Sequence, residues 1–379
     1  MGTQLQTLSS SAGFKTFRVI EKKQESAVIT SFVLTASDGV SNLCFRPGQY
    51  LIVRLALDGG VKVLRNYSLS GDANDLARVR ISVKREPAPF DQPELPPGQG
   101  SNHLHDHVQI GDFLEIAGPT GTFVLDEESP RPVVLFSGGV GLTPMLSMLH
   151  QLSTHSSRPV YFIHACENGA VHAFRDEVLA LASRRPGISV HFCYRNPNAD
   201  DQASAAFHSQ GLVSRETLQR LLPLDDYDVY LCGPRFFMQA NWRLLRDLGI
   251  ASQRIHYEFF GPATILEEDE VVPVAPPPRA SPVLKAPTAS IEGALTVEFL
   301  PSGRRVAWDQ SCQSLLELAE QNGLTPSFNC RAGLCNTCQV TLRKGSVEYF
   351  EEPLDTPECG RILLCCTRPT TAVTVDLRQ

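Results

Sequence analysis

Nine residues, Cys330-Arg-Ala-Gly-Leu-Cys-Asn-Thr-Cys338, hold three thiols in one loop at the spacing C-x4-C-x2-C. Thiolates are soft donors, and this spacing, completed by one cysteine further on, suits a [2Fe–2S] cluster. Cys365, within Gly360-Arg-Ile-Leu-Leu-Cys-Cys-Thr-Arg-Pro369, is the expected fourth. The metal set is then Cys330, Cys335, Cys338 and Cys365. Structural zinc is the plainer use of clustered cysteines, but zinc favours two separated Cys/His pairs. No matching pair lies downstream. Cys44 and Cys193 lie in apolar, strand-like runs that suit core positions, while Cys312 and Cys359 are off ligand spacing.

Three further stretches carry chemistry of another kind. Arg65-Asn-Tyr-Ser-Leu-Ser70 ends a strand with a cation, an aromatic and hydroxyls in succession. An Arg pairs with phosphate, an aromatic offers a stacking face, and a hydroxyl bonds a ring nitrogen. Gly98-Gln-Gly-Ser-Asn-His-Leu-His105 opens a short helix whose first N–H groups suit a pyrophosphate. Its neighbours His103, His105 and His107 would not share one helix face, so they read as surface and capping residues. Gly138-Gly-Val-Gly-Leu-Thr-Pro144 joins a strand to a helix, where a glycine-rich turn can approach a dinucleotide phosphate. It lacks the Gly-x-Gly-x-x-Gly fingerprint, and a tight structural turn reads as well from this loop alone.

Positioning these groups takes several domains. The chain has 379 residues, enough for two or three. A net charge of −7 without a Lys/Arg run argues against nucleic acid or anionic membrane as partners. No run approaches the roughly 20 apolar residues that span a bilayer. Met1–Thr16 has no signal segment, and Gln6 stands where myristoylation needs Ser or Thr. The eleven cysteines therefore suggest a reducing compartment, and a cytoplasmic location is expected.

Residues 14–126 show short β-rich runs (28–34, 50–57, 61–70, 77–86, 112–117) punctuated by Asp58-Gly59-Gly60 and Gly118-Pro119. That pattern predicts a small antiparallel β-barrel. In residues 130–263, strands at 133–137, 160–165, 190–194 and 229–232 alternate with helices at 145–152, 172–183, 214–222 and 235–248. Such alternation predicts an α/β domain on a parallel sheet. Residues 264–290 carry four consecutive acidic residues and then six prolines, and read as a linker. Residues 291–379 hold a hairpin around Pro301-Ser-Gly303, a helix at 311–321, the cysteine loop and strands at 339–342 and 373–377, an α+β module.

Arg65–Ser68, Gly98–Ser101, Gly138–Pro144, Cys232-Gly-Pro234 and Tyr257-Glu-Phe-Phe-Gly261 fall in an order and spacing that resemble the ferredoxin–NADP reductase superfamily. Val83-Lys-Arg-Glu86, Ser101-Asn-His-Leu-His105 and Ile255–Pro262 are similar to the reductase half of flavohaemoglobins. The last module resembles a β-grasp ferredoxin domain. The resemblance implies FAD bound through Tyr50, Arg65, Asn66, Tyr67, Ser68, Lys84, Gly100 and Ser101. Arg65 would hold phosphates, Tyr67 would stack on the isoalloxazine and Ser68 would bond near flavin N5. Tyr50 would lie on the adenine-nucleotide side, and the pyrophosphate at Gly100 and Ser101 favours FAD over FMN.

It further implies a nicotinamide nucleotide held by Gly138, Gly139, Val140, Gly141, Leu142 and Thr143, with Cys232, Gly233 and Pro234. Phe260 would cover the flavin face that nicotinamide must reach, with Glu258 nearby. Ser68, Cys232, Glu258 and Phe260 are thus the expected catalytic residues. The family's Cys-x-x-Arg-Pro ending selects Cys365 over the adjacent Cys366. Only about a dozen residues precede the barrel, so haem chemistry is not implied. Glu167 stands near where a 2′-phosphate would lie, and a carboxylate there favours NADH over NADPH.

Together these readings predict an NADH-dependent reductase that passes hydride to FAD and single electrons to a [2Fe–2S] cluster. From there they go to a separate acceptor protein, such as an oxygenase component. Glu348, Glu351, Glu352, Asp355 and Glu358 form an acidic stretch that could steer a basic acceptor, or simply a solvated loop. Two alternatives stand beside this: a stand-alone diaphorase or flavin reductase, and an iron–sulfur redox sensor.

Overall fold

The computed structural model describes residues 14–39, 43–57, 62–88, 97–260, 295–309, 312–324, 326–328, 333, 336–350, 353 and 357–378. The amino-terminal segment, the turn at 58–60, the linker at 264–290, Cys330, Cys335, Glu351, Glu352 and Asp355 lie outside them. The chain divides into two compact units, one up to Phe260 and one beyond it.

The first unit opens with six antiparallel strands: β1 (Lys15–Gln24), β2 (Ile29–Ala36), β3 (Tyr50–Ala56), β4 (Lys62–Ser68), β5 (Val79–Lys84) and β6 (Phe113–Thr120). They lie in the order β4-β3-β6-β1-β2-β5. An antiparallel bridge between Leu69 and Ile81 joins the two edges, so the sheet curls closed. Inward residues such as Phe17, Val19, Phe32, Leu34, Leu51, Val53, Ile81 and Ile116 fill the interior, and Leu104 of α1 (Gln99–Asp106) plugs it. β1 escaped the sequence reading because its register shifts between Val19 and Glu21 and leaves Ile20 exposed, breaking the apolar alternation.

The second half of this unit is an α/β layer structure. Strands β7 (Val133–Gly138), β8 (Val160–Cys166), β9 (Ile188–Tyr194), β10 (Ser209–Gln210), β11 (Asp228–Gly233) and β12 (Ile255–Phe259) form one parallel sheet. Its order is β10-β9-β8-β7-β11-β12. Both β7 and β11 are buried at every residue, as central parallel strands covered on two faces must be. Helices α2 (Leu142–His155), α3 (Arg175–Ala182), α4 (Ala199–Ala203), α5 (Arg215–Leu221) and α6 (Arg235–Asp247) supply the connections. The helix read at 172–183 begins instead at Arg175, because Phe174 takes a left-handed φ of 61° and a 3-10 turn at Gly169–Val171 precedes it.

Strand order reverses between β7 and β11, and ligands of open α/β sheets bind outside the carboxyl ends at such a switch point. At that edge Phe192, His164, Ser137, Cys232 and Glu258 form one row across five strands. At the opposite edge buried Asp228 accepts from Ser129 Oγ and from Arg158 Nη2 at 3.1 Å. The barrel and this sheet share a core: Ile29, Phe123 and Leu125 pack among Val133, Leu135, Met145 and Tyr230.

The second unit sets β13 (Thr296–Leu300), β14 (Arg304–Ala307), β15 (Gln339–Lys344), β17 (Arg361–Leu363) and β19 (Val373–Asp376) in the order β14-β13-β19-β15-β17. A separate antiparallel pair joins β16 (Val347–Tyr349) and β18 (Thr367–Pro369). β13 and β19 run parallel and the other pairings are antiparallel. Helix α7 (Leu315–Gln321) buries Leu315, Leu316, Leu318 and Ala319 against this sheet's core. Among the described residues no helix is long and apolar enough to cross a membrane.

Candidate functional site

Pairing of β3 with β4 sets Tyr50 opposite Ser68, Leu51 opposite Tyr67 and Val53 opposite Arg65. Alternation therefore turns Arg65 and Tyr67 to one face of the sheet and Asn66 and Ser68 to the other. Tyr67 packs against the barrel core, and burial pushes its hydroxyl pKa well up. Tyr50 is 6% exposed, and a Cβ on Gly121 would lie 2.9 Å from its ring. Asn66 Oδ1, Asn66 Nδ2 and Ser68 Oγ are buried without a hydrogen-bond partner. Unsatisfied buried polar groups cost about 1–3 kcal/mol each, so three such atoms on Asn66 and Ser68, which share one face of β4, point to a ligand that completes them.

Helix α1 faces this strand. A Cβ on Gly100 would stand 2.8 Å from Arg65 Cγ, so only glycine lets the guanidinium stem lie against the helix start. No side chain caps α1, which leaves its first N–H groups to an external acceptor. Ser101 Oγ donates to Gly98 O at 3.0 Å and accepts from Glu86 N at 3.2 Å. Its hydroxyl is thus engaged within the loop, and its backbone N–H is what it offers an anion. Lys84 pairs with Glu86 at 3.0 Å, and Arg65 Nη1 donates to Leu64 O at 2.8 Å.

Lys22, which the sequence reading does not single out, and His105 anchor α1. Lys22 Nζ donates to His105 O and Val108 O, both at 2.7 Å, at the helix's carboxyl end. His105 Nε2 lies 2.9 Å from Val83 O, so this nitrogen carries the proton, and Nδ1 accepts from Thr30 Oγ1 at 3.2 Å. Of the three histidines, His105 is therefore a bolt between helix and sheet.

The nucleotide edge is built on glycine. A Cβ on Gly141 would fall 2.3 Å from Cys232 O; one on Gly138 would meet the Phe237 ring at 2.8 Å, and one on Gly233 the same ring at 2.6 Å. Gly139 has φ +53°, and Thr143 Oγ1 donates to Val140 O at 3.0 Å, closing the turn on which Leu142 begins α2. Pro234 caps α6. Side by side at this edge, Cys232 is fully buried and Glu258 Oε2 is buried without a partner. Burial lifts the Glu258 carboxyl to a pKa of about 8, which leaves it mostly protonated at pH 7, and pushes the Cys232 thiol well up. Phe260, the last described residue of the unit, is 42% exposed.

Glu167 follows β8, and Asn196 Nδ2 donates to its Oε1. Beneath this edge lies a histidine pair that the sequence reading passed over. His164 Nδ1 bonds Ser137 Oγ at 2.9 Å, His172 Nδ1 bonds the Tyr194 hydroxyl at 2.7 Å, and the imidazole centroids are 4.8 Å apart. Burial lowers their pKa values to about 3 and about 2, the second further depressed by His164.

In the second unit Cys338 and Cys365 are 2% and 4% exposed. Cys365 N points at Cys338 Sγ (3.5 Å), and Gly333 N at Cys365 Sγ (3.3 Å). Gly333 adopts φ +66° where a Cβ would crowd Cys366 Sγ at 3.0 Å. Cys366 is fully buried, with Sγ 3.8 Å from Leu363 O.

Comparison with known proteins agrees with this architecture. Residues 16–125 match an oxidoreductase FAD-binding domain, 135–242 an oxidoreductase NAD-binding domain and 297–370 a 2Fe-2S iron-sulfur cluster binding domain. The chain is 46% identical over 256 residues to the flavohemoprotein of Pseudomonas aeruginosa, spanning 67% of this chain and 61% of that one. It is 42% identical over 259 residues to that of Halalkalibacterium halodurans, 67% and 62% respectively. The solved FAD/NAD-binding domain of nitric oxide dioxygenase from Vibrio cholerae is 40% identical, with a TM-score of 0.58, covering 65% of this chain and 99% of that one. Phthalate dioxygenase reductase shares the three-part fold at 24% identity. Its TM-score is 0.55, over 96% of this chain and 98% of that one. With a closed flavin-type barrel, a nucleotide edge at the switch point and buried cysteines beside a mixed sheet, the chain belongs to the FAD- and NAD-binding oxidoreductases of the ferredoxin–NADP reductase superfamily and carries a 2Fe-2S domain at its carboxyl end.

Proposed function

We propose that the protein is an NADH:acceptor reductase that divides hydride electron pairs into single electrons for a partner protein. The observation that carries this is the set of buried, unpartnered polar atoms on Asn66, Ser68 and Glu258, at the ends of β4 and β12 in one compact unit. They need a polar ligand, and the groups around them fit a flavin and a nicotinamide.

Arg65 and the start of α1 would hold the FAD phosphates, Tyr67 would lie against the ring system, and Asn66 and Ser68 would bond its polar edge, with Tyr50 beside the nucleotide portion. Lys84 lies on the same β5–α1 margin. The glycines at 138, 139, 141 and 233, with Val140, Leu142, Thr143, Cys232 and Pro234, would form the nicotinamide nucleotide's cradle. Phe260 would shield the flavin from water until the nucleotide enters. Glu258, protonated at neutral pH, would donate a hydrogen bond in that pocket. Cys330, Cys335, Cys338 and Cys365 would ligate the cluster, with the Gly333 and Cys365 N–H groups tuning the sulfurs. When bound, the flavin takes two electrons as hydride and releases them one at a time, while the cluster accepts and passes single electrons. The protein supplies placement and electrostatics.

The acceptor is proposed to be an electron-accepting protein such as an oxygenase component. The full three-part fold shared with phthalate dioxygenase reductase supports this reading. Anaerobic titration with NADH should bleach the flavin and then reduce the cluster, and a cluster that stays oxidised rejects the route. Full physiological turnover by a Cys335→Ser variant lacking the cluster would favour the diaphorase reading.

A further inference from the structure

Resting on that reading, we propose that Arg80 and Glu177 form an interdomain clamp that sets the pose of the flavin strand relative to the nucleotide domain. Hydride transfer requires reacting atoms about 3–3.5 Å apart, and a displacement of 1 Å can cost about a hundredfold in rate. Here the groups that would hold the two reactants belong to different sheets. Their relative placement depends on what joins the sheets near the site.

Arg80, on β5 of the barrel, makes that join. Its Nη1 and Nη2 donate to Glu177 Oε2 and Oε1 of α3 at 2.9 and 2.7 Å, a bidentate pair. The same Nη2 donates to Ser70 O at 2.6 Å, and Arg80 O accepts from Ser70 N at 2.9 Å. Ser70 lies two residues beyond Ser68, so the guanidinium links the end of the flavin strand to the nucleotide domain. His150 Nε2, from α2, bonds the same Glu177 Oε1 at 2.8 Å and adds a second anchor to the carboxylate. Burial alone would raise the Glu177 pKa, but the His150 and Arg80 hydrogen bonds outweigh it and hold it at about 2, so the carboxylate stays charged.

The backbone next to Glu177 fits the same arrangement. Phe174 takes its left-handed φ of 61°, unusual for an aromatic residue, and its ring lies 4.8 Å beneath the Arg80 guanidinium. Arg80 is thus held by a carboxylate, a carbonyl and an aromatic face. Nearby, Ala27 N donates to Ala170 O at 2.9 Å across the same interface.

The test compares Arg80→Met and Glu177→Gln with the wild-type full chain, each loaded with FAD and cluster. Under anaerobic stopped flow with NADH, the limiting rate of flavin bleaching should fall roughly tenfold or more in both variants. FAD content should stay full and the NADH dissociation constant within about twofold. Glu177→Gln keeps size and shape, so it decides the matter if Arg80→Met folds poorly. Hydrogen exchange gives a readout that needs no turnover: the Ala27 amide should lose protection in both variants. Wild-type bleaching rate and unchanged Ala27 protection in a folded variant overturn the clamp. A wild-type flavin that NADH never bleaches would sink the functional reading while leaving the exchange result to judge the clamp.

Discussion

Cys232 and Glu258 are register partners in the parallel pairing of β11 with β12, so a buried thiol and a buried carboxyl stand side by side at the switch point. Burial lifts the Glu258 pKa to about 8 from an ordinary value of 4.5. Between those values the unfolded chain has released this proton and the folded protein keeps it. Folding stability from this group is therefore full below the unfolded pKa and is lost as pH rises toward the folded one, by at most about 1.4 kcal/mol per pH unit. Glu258→Gln apoprotein should gain stability over wild type as pH climbs from about 5 to about 8. Urea midpoints measured in parallel across that window check it; a difference that stays flat with pH refutes the raised pKa.

Cys365 and Cys366 are adjacent and both buried, yet their sulfurs have different surroundings. The Gly333 N–H points at Cys365 Sγ, while Cys366 Sγ packs where Gly333 would carry a side chain. Cys365→Ser should lose the cluster's visible absorbance and iron, whereas Cys366→Ser should retain both. Intact absorbance in the first variant together with loss in the second would reverse the assignment.

The parts read most readily from the sequence were those whose partners lie close along the chain. Thiol spacing from Cys330 to Cys338, the glycines from 138 to 141 and the strand–helix alternation after Val133 are local patterns. The Gly141–Cys232 approach explains why a glycine must stand there, since a Cβ would fall 2.3 Å from Cys232 O, but it involves residues far apart in sequence. Arg80 and Glu177 are 97 positions apart, and each alone reads as an ordinary surface charge. His164 and His172 lay inside apolar runs whose pattern gave no hint of a shared polar core. The helix start at Ser101 is legible as a source of backbone N–H groups for a pyrophosphate, but that its hydroxyl is already engaged by Gly98 and Glu86 is not. A reading of types and spacing names the groups; which of them is already satisfied depends on tertiary contacts.

Glu167 is proposed to bear on nucleotide choice. Its carboxylate accepts from Asn196 Nδ2, which fixes it at the carboxyl end of β8. A carboxylate held there disfavours a 2′-phosphate by charge and suits a ribose hydroxyl. The ratio of kcat/KM for NADH over NADPH should exceed one and fall roughly tenfold in Glu167→Gln, about 1.4 kcal/mol of discrimination. A wild-type ratio below one, or a ratio unmoved by the substitution, refutes this role.

The histidine pair under the nucleotide edge should make the protein sensitive to acid. His164 is fully buried and His172 nearly so, and burial depresses their pKa values to about 3 and about 2 from an ordinary 6.5. Below pH 6.5 the unfolded chain takes up these protons while the folded protein does not. Stability from the pair is thus complete above the unfolded pKa and drains as pH falls toward the folded values, each imidazole contributing up to about 1.4 kcal/mol per pH unit. This trend runs opposite to that of Glu258, so the two are separable by substitution. His164→Leu removes one titrating group, and Ser137 Oγ still lies 3.4 Å from Ile163 O as an alternative acceptor. The variant should start less stable at neutral pH because a shaped polar contact is gone. Its loss of stability between about pH 6 and pH 4 should nevertheless be shallower than wild type by about one proton. Denaturant midpoints and slopes across that range measure the proton uptake directly. Equal pH slopes in the two proteins would mean that His164 is already protonated in the folded state, and that its Ser137 bond does not depend on a neutral ring.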